Sequence, residues 1–430
     1  RKLAMKKIER LTLLFTFQLF SSLICLCSEL NYWPRFRGPN GTGLASAPSL
    51  PTLWEKEDVL WIHSLPGKGH SSPVIWDDHL YISWSTKHNG VIALRCLSTE
   101  SGEIFWEKRF RIELFHVNRD NSFATSTPCL NDKAVYFYWA SPQAVMVAAF
   151  SHEGKELWRR DLGPYRSLHG PGVSPIFYNG LIIIPNDQKE RGSLIALDAQ
   201  TGKTKWKIER TSTRAAYATP CVYESSDDSA QVIFLSTAHG VTSVDLNSGK
   251  ILWEVKDVFP LRVVSSPVVA GQLIIGTCGQ GGSGRRLVAV KCPRKGEKPR
   301  VVYKLERNVP YVPTPLYYKG LLFLLADNGV ASCLDAQTGK LLKQIRLRSR
   351  FYSSFICVDG RLYAVSRKGE VYVLRASESF ELLGMISMEE GSHATCAVSK
   401  NRMYLRTFSK LICIGQRQKE PGLSPARETR

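Results

Sequence analysis

From Trp54 to Gly415 the chain alternates strand-length apolar runs with clusters of Gly, Asn, Asp and Ser. The runs are rich in Ile, Val, Leu, Tyr and Phe, as packed sheet faces require. No stretch in this region carries the 3.6-residue apolar period of a useful amphipathic helix. Residues 172–178 predict one strand. Asn179-Gly180 is then a two-residue hairpin turn whose twist suits the strands it joins. Residues 181–184 predict a second strand, 193–198 a third and 204–209 a fourth. The first turn of this unit returns at Asp77-Asp78, Asn131-Asp132, Ala270-Gly271, Lys319-Gly320 and Asp359-Gly360.

The join between the third and fourth strands repeats even more clearly. Residues 194–206 read Leu-Ile-Ala-Leu-Asp-Ala-Gln-Thr-Gly-Lys-Thr-Lys-Trp, and related phrases end in Trp106, Trp158 and Trp253. A fifth copy, residues 334–340, keeps the turn without the Trp. Asp198 and Thr201 offer side-chain oxygens to free N–H groups of the turn, and Gly202 supplies its positive φ. A Trp recurring once per unit is a packing residue between units before it is a sugar platform.

A second marker, Ser or Thr followed by Pro, sets the phase: Ser72, Thr127, Ser174, Thr219, Ser266 and Thr314. Ser354 and Thr395 keep the frame without Pro. The successive spacings are 55, 47, 45, 47, 48, 40 and 41 residues, close to the ~40–50 residues of a four-stranded propeller blade. Seven units are complete, and the eighth, residues 392–415, has three strands. Residues 58–63 carry Trp61 at the phase of a fourth strand but precede the first unit. Pairing them with the eighth unit closes a ring and removes the open sheet edges. The expectation is therefore an all-β fold, an eight-bladed β-propeller of four-stranded antiparallel blades closed by an N-terminal strand in the last blade. Its expected divisions are a signal peptide over 1–28, an irregular segment over 29–57, the propeller over 58–415 and a disordered tail over 416–430. Trp33 and Phe36 of the irregular segment are expected on the surface of the domain.

The Ala-Leu-Asp-Ala-x-Thr-Gly-Lys-x-x-Trp phrase resembles the pyrroloquinoline-quinone (PQQ)-like propeller repeat over about residues 54–415. The opening Trp33-Pro-x-Phe-Arg-Gly-Pro-x-Gly-x-Gly43 is similar to the leader of secreted PQQ-like repeat proteins. The shared last blade resembles outer-membrane assembly factors of the BamB kind. This resemblance implies the fold; for activity it leaves quinone dehydrogenases and non-catalytic scaffolds both open. In the dehydrogenases it implies a vicinal Cys-Cys disulfide over the quinone, a Trp beneath, a calcium site of Glu, Asn and Asp, and an Asp base. This sequence has no adjacent cysteines. The expectation is no cofactor and no metal.

Charge and cysteines add less. Lys6, Lys7 and Arg10 precede an apolar run from Leu11 to Leu26, the pattern of a cleaved leader with Met5 as the natural start. The run is short for a membrane span. The net charge is +19, and about +15 once the leader is removed. No basic block concentrates it, so specific nucleic-acid binding is not expected. Nine cysteines follow the leader. Cys129, Cys221 and Cys333 read as small buried apolar residues, while Cys278 and Cys292 are the best-placed disulfide candidates. Gly279-Gln-Gly-Gly-Ser-Gly284 matches a dinucleotide fingerprint, but a strand follows it where a helix is required, so it reads as a hairpin connection.

The positions just before each marker carry the candidate site, because they enter the innermost strand at one mouth of the channel. Two residues before the marker Ser or Thr stand His70, Tyr217, Tyr352 and His393, and close by lie His169, Arg214, Arg262, Tyr311 and Arg350. Such a rim is basic and aromatic and suits a carboxylate, a phosphate or an acidic loop. The functional expectation is a non-catalytic, monomeric scaffold, periplasmic or secreted and associated with the outer membrane. Its partner is expected to be a protein or an anionic envelope component. The alternatives are a quinone-dependent dehydrogenase and a polysaccharide-acting or polysaccharide-binding protein.

Overall fold

The structure is a computed structural model that describes residues 32–224, 230–294 and 296–416. The proposed leader over 1–28 and, apart from Gln416, the proposed tail lie outside the described residues. Eight sheets surround a channel, each built on four antiparallel strands that in seven of them run outwards in chain order. Blade 1 is formed by Val74–Trp76, His79–Thr86, Val91–Ser98 and Ile104–Arg111, and blade 3 by Ile176–Tyr178, Leu181–Asn186, Glu190–Asp198 and Thr204–Ser212. The innermost strands are short because they converge on the axis. The middle two strands are almost wholly buried and supply most of the apolar core between neighbouring blades.

Ring closure occurs as the repeats predict. Val59–Ser64 is the outermost strand of blade 8, antiparallel to Lys410–Ile414, with His63 opposite Leu411. Blade 8 therefore joins the two ends of the propeller. Trp61 then docks on blade 1. Its Nε1 donates to the carbonyl of Thr99 at 3.1 Å, and a Cβ on Gly102 would lie 2.7 Å from its ring. The same lock repeats around the ring, with Trp106 donating to His152, Trp158 to Ala199 and Trp206 to Leu246. Tyr303 takes the Trp position in blade 5 and donates to Ala336. The turn glycine is thus required twice. Its φ is positive, +67° at Gly202 and +72° at Gly102, and the preceding blade's aromatic ring occupies the space of its side chain. The Asp of the turn accepts from Thr201 at Asp198 and from Thr338 at Asp335.

The markers themselves form a second chain of hydrogen bonds around the channel, with seven of the eight possible links. The backbone N–H of Ser72 donates to Thr127 Oγ1, Thr127 to Ser174 and Thr219 to Ser266. Ser266 donates to Thr314, Thr314 to Ser354, Ser354 to Thr395 and Thr395 back to Ser72, at 2.9–3.2 Å. Each link joins one blade to the next around the channel wall.

The segment before the propeller departs from expectation. Trp33 is buried, only 1% exposed, because residues 32–45 thread the far end of the channel. Tyr32–Trp33 pairs antiparallel with the innermost strand of blade 1, and Leu44–Ala45 pairs parallel with Ile356–Val358 of blade 7. Between them the Pro34 carbonyl accepts from Leu130 of blade 2, Arg35 donates to the Pro220 carbonyl and Asn40 exchanges two hydrogen bonds with Val222 of blade 4. Phe36 is half-buried and faces the channel interior. The chain then passes under blades 7 and 8, where Asp359 holds Ser46 and Ala47, and Asn401 holds Ser49. Burial pushes the guanidinium of Arg35 down to about 10 and that of Arg37 to about 9, so both stay charged at neutral pH.

The cysteine expectation is also corrected. Cys278 and Cys292 are both free and buried. Cys278 pairs with Arg286 near the loop end of its hairpin, whereas Cys292 bonds Gln272 at the other end. They are roughly 20 Å apart at ~3.3 Å per strand residue, beyond disulfide reach. Cys129, Cys221 and Cys333 are buried as expected.

Trp61→Ala removes the aromatic that seals blade 8 to blade 1. It is expected to cost roughly 2 kcal/mol, about half the loss for a fully buried Trp. Ile62→Ala on the exposed face is expected to stay within ~0.5 kcal/mol. Urea midpoints of the two variants check this, and equal midpoints would contradict the closure lock.

Candidate functional site

With the far end filled, the channel is a blind chamber of about 480 Å³ that opens at the marker face. Its wall is layered. All eight positions two residues before a marker line it: His70, Thr125, Gly172, Tyr217, Val264, Val312, Tyr352 and His393. The eight marker residues form the next layer inwards, and Phe36 from the threaded segment contributes to the lining. His169, Arg262, Tyr311 and Arg350 also line the chamber. Arg214 does not; its guanidinium reaches Gln280 Oε1 on the glycine-rich turn of blade 5 at 3.3 Å. That turn, Gly281 and Gly282 included, joins the antiparallel strands Leu273–Gln280 and Ser283–Lys291 and edges the mouth.

His70 and His393 come together where blade 8 meets blade 1, with ring centroids 4.6 Å apart, and Tyr352 meets His393 edge-on at 4.8 Å. Phe408 packs against both imidazoles. Burial first, then the neighbouring His393 and Arg406, hold His70 well below the ordinary imidazole range. Burial and the Arg367 guanidinium push His393 down to about 4, against an opposing pull from Asp120. Both rings are therefore neutral at pH 7. Arg367 Nε donates to His393 Nε2 at 3.2 Å, which places the imidazole proton on Nδ1. On the opposite wall Tyr217 hydrogen-bonds Ser167 at 2.6 Å and Arg262 reaches Tyr311 at 3.3 Å. Asp327 fixes that wall by accepting the N–H groups of Tyr311 and Val312. Burial raises its carboxyl to about 6.

Two groups at the mouth were missed in the sequence. One is Arg367, on the turn between the second and third strands of blade 7. The other is the connection from blade 1 to blade 2, whose residues 118–121 lie over the chamber. Asp120 on this connection reaches blade 7, accepting from Arg367 Nη2 at 2.7 Å and from the Tyr352 hydroxyl at 3.3 Å. The first marker spacing, 55 residues against 40–48 elsewhere, was the available signal for an added loop there.

A family model described as outer membrane protein assembly factor BamB, built on the PQQ-like repeat, matches residues 52–290, more than half of the chain. The chain belongs to this family. Among its relatives, BamB of Yersinia pestis is 24% identical over 253 residues, covering 55% of this chain and 60% of that protein. A polyvinylalcohol dehydrogenase of a Pseudomonas species is 25% identical over 191 residues, covering 41% of this chain and 27% of the enzyme. The chain thus spans less than two thirds of either relative. The fold matches that of BamB from Moraxella catarrhalis, with a TM-score of 0.60 at 12% identity over 85% of this chain and 99% of that one. It also matches a europium-containing methanol dehydrogenase, with a TM-score of 0.67 at 11% identity over 89% and 90%.

The quinoprotein relatives raise the question of whether a quinone and its cation would fit the chamber. A calcium ion takes about six to eight oxygen ligands, several of them carboxylates. Asp120 is the only carboxylate among the lining residues, and Arg367 already holds it. Among the described residues no group of three or more His, Cys, Asp or Glu is placed to hold a metal. With no adjacent cysteines to cover a ring, these residues do not fit the quinone–calcium pair.

The depressed imidazole pKa has a direct consequence. Unfolded His titrates near 6.5, so between that pH and about 4 the unfolded chain binds the proton that folded His393 refuses. The resulting contribution is present above pH 6.5 and is lost as pH falls through about 4. His393→Gln is expected to flatten the fall in melting temperature over this window relative to wild type. Parallel curves would place the titrating group elsewhere.

Proposed function

We propose that this protein is a non-catalytic scaffold of the cell envelope, periplasmic and associated with the outer membrane. It holds a partner protein at the open mouth of its channel. The observation that carries this reading is the lining of the blind chamber: Arg119, Arg262, Arg350 and Arg367 against the single carboxylate of Asp120. Neutral imidazoles and three tyrosines interleave with these cations, a surface that offers forked charge-assisted hydrogen bonds and stacking faces to an acidic segment. Likeness to the BamB proteins supports an assembly role. No helix among the described residues is long and apolar enough to cross a membrane.

A dehydrogenase reading is favoured by one observation, the polyvinylalcohol dehydrogenase relatives. The scaffold reading expects no quinone absorbance and no dye-linked turnover after addition of PQQ and calcium. Stoichiometric PQQ binding would promote the dehydrogenase.

Changing His70, Arg350 and His393 together to Ala is expected to abolish capture of the partner from envelope extract while the far-ultraviolet circular dichroism of the fold persists. Unchanged capture by the folded triple variant would remove the rim from the account.

A further inference from the structure

The clearest chemistry at the mouth is a carboxylate already bound there. Asp120 is presented on a loop from one side of the ring and is received on the other by a cradle of three side chains. Arg367 Nη2 donates to Oδ1 at 2.7 Å, and the Tyr352 hydroxyl donates to Oδ2 at 3.3 Å. The guanidinium lies over the Tyr352 ring, 4.3 Å from its centroid. Its Nε is fixed by His393, so the fork keeps its orientation whichever carboxylate it meets.

The loop and its cradle have separate anchors. Asn118 and Asn121 tie the loop to the backbone of residues 169 and 171, on the blade 2 to blade 3 connection. Among the described residues of this loop, Asp120 alone hydrogen-bonds blade 7. Its side chain is 30% exposed and that of Arg367 25%, and partly exposed ion pairs of this kind are worth little. The crossing can therefore open while the rest of the loop stays attached.

Beside the cradle runs a shallow groove lined by Arg346, Arg348, Arg350, Arg367 and Lys368. Arg350 and Arg367 belong to both the groove and the chamber. Of these five, Arg367 alone forms a salt bridge among the described residues, and its partner is Asp120. A cationic track thus leads along the junction of blades 6 and 7 to a site that the protein's own carboxylate fills.

We propose that the Arg367–Tyr352–His393 cradle is the docking site for an Asp or Glu side chain of the partner, and that Asp120 occupies it in cis as a stand-in. The partner is a protein with an acidic extended segment that lies along the Arg346–Lys368 groove. Its carboxylate displaces Asp120 from the cradle while Asn118 and Asn121 keep the loop attached to residues 169 and 171. This rests on the reading of the rim as the partner face and adds the identity of the recognised group. Apparent affinity is reduced by the fraction of molecules in which the cradle is closed.

The test uses a hexaglutamate peptide as probe, titrated by calorimetry at low salt into wild type, Asp120→Asn, Asp120→Glu and the double variant Asp120→Asn/Arg367→Ala. Asp120→Asn is expected to bind roughly tenfold more tightly than wild type, because the occluded state is removed. Asp120→Glu should return to wild-type affinity, and the double variant should lose the gain. Amide exchange of residues 116–122 should accelerate in Asp120→Asn. Equal binding by wild type and Asp120→Asn, a gain that survives Arg367→Ala, or no binding to any form would each overturn the proposal. Those outcomes leave partner capture by the rim triple variant as an independent readout, so failure of the cradle is distinguishable from failure of the rim.

Discussion

The structure depends on hydrogen bonds that each blade cannot make for itself. An innermost strand of two or three residues begins at the channel wall with a backbone N–H that lacks a sheet partner. Leaving such a donor buried costs about as much as losing a hydrogen bond. In seven of the eight blades the hydroxyl of the next blade's marker accepts it, and the pattern closes where Thr395 donates to Ser72. This requirement explains why each unit opens on Ser or Thr. It also fixes, in every blade, the position two residues earlier as one that faces the chamber. The geometry of the candidate site is thus a by-product of how the ring satisfies its backbone.

At the outer edge the same logic is carried by aromatic rings on glycines. Trp61 closes the ring by the contact that Trp106, Trp158 and Trp206 use within it. Closure therefore adds no new chemistry and gives blade 8 the same four-strand width as its neighbours. The threaded segment acts on the other face. By pairing with the inner strands of blades 1 and 7 and bonding blades 2 and 4, it turns an open channel into a blind chamber with one mouth.

Local repetition made the blades, the closing strand and the rim legible in the sequence. Each rests on a residue type that recurs at a fixed phase: Trp61 with the other outer-strand tryptophans, His70 and His393 with their equivalents before the markers. The threaded segment, residues 32–45, was not legible. Trp33-Pro-Arg-Phe-Arg looks like a polar turn segment, and its partners Pro220 and Phe355 lie 185 and 318 residues away from the arginines that bond them. The Asp120–Arg367 pair escaped for the same reason: it joins positions 247 residues apart that occupy no repeat phase. Arg214 shows the limit of phase itself. It stands close before a marker, but its side chain reaches Gln280 on the blade 5 turn and does not line the chamber.

The central claim is that the partner engages the open mouth and no other face. Site-specific photo-crosslinking in envelope extract tests it most directly, with the photoreactive residue placed in turn at Tyr217 in the chamber, Asn40 on the threaded segment and Lys207 on the outer edge of blade 3. The account predicts one cross-linked partner from position 217 and none from the other two. A partner captured from position 40 or 207 and absent from position 217 would contradict it.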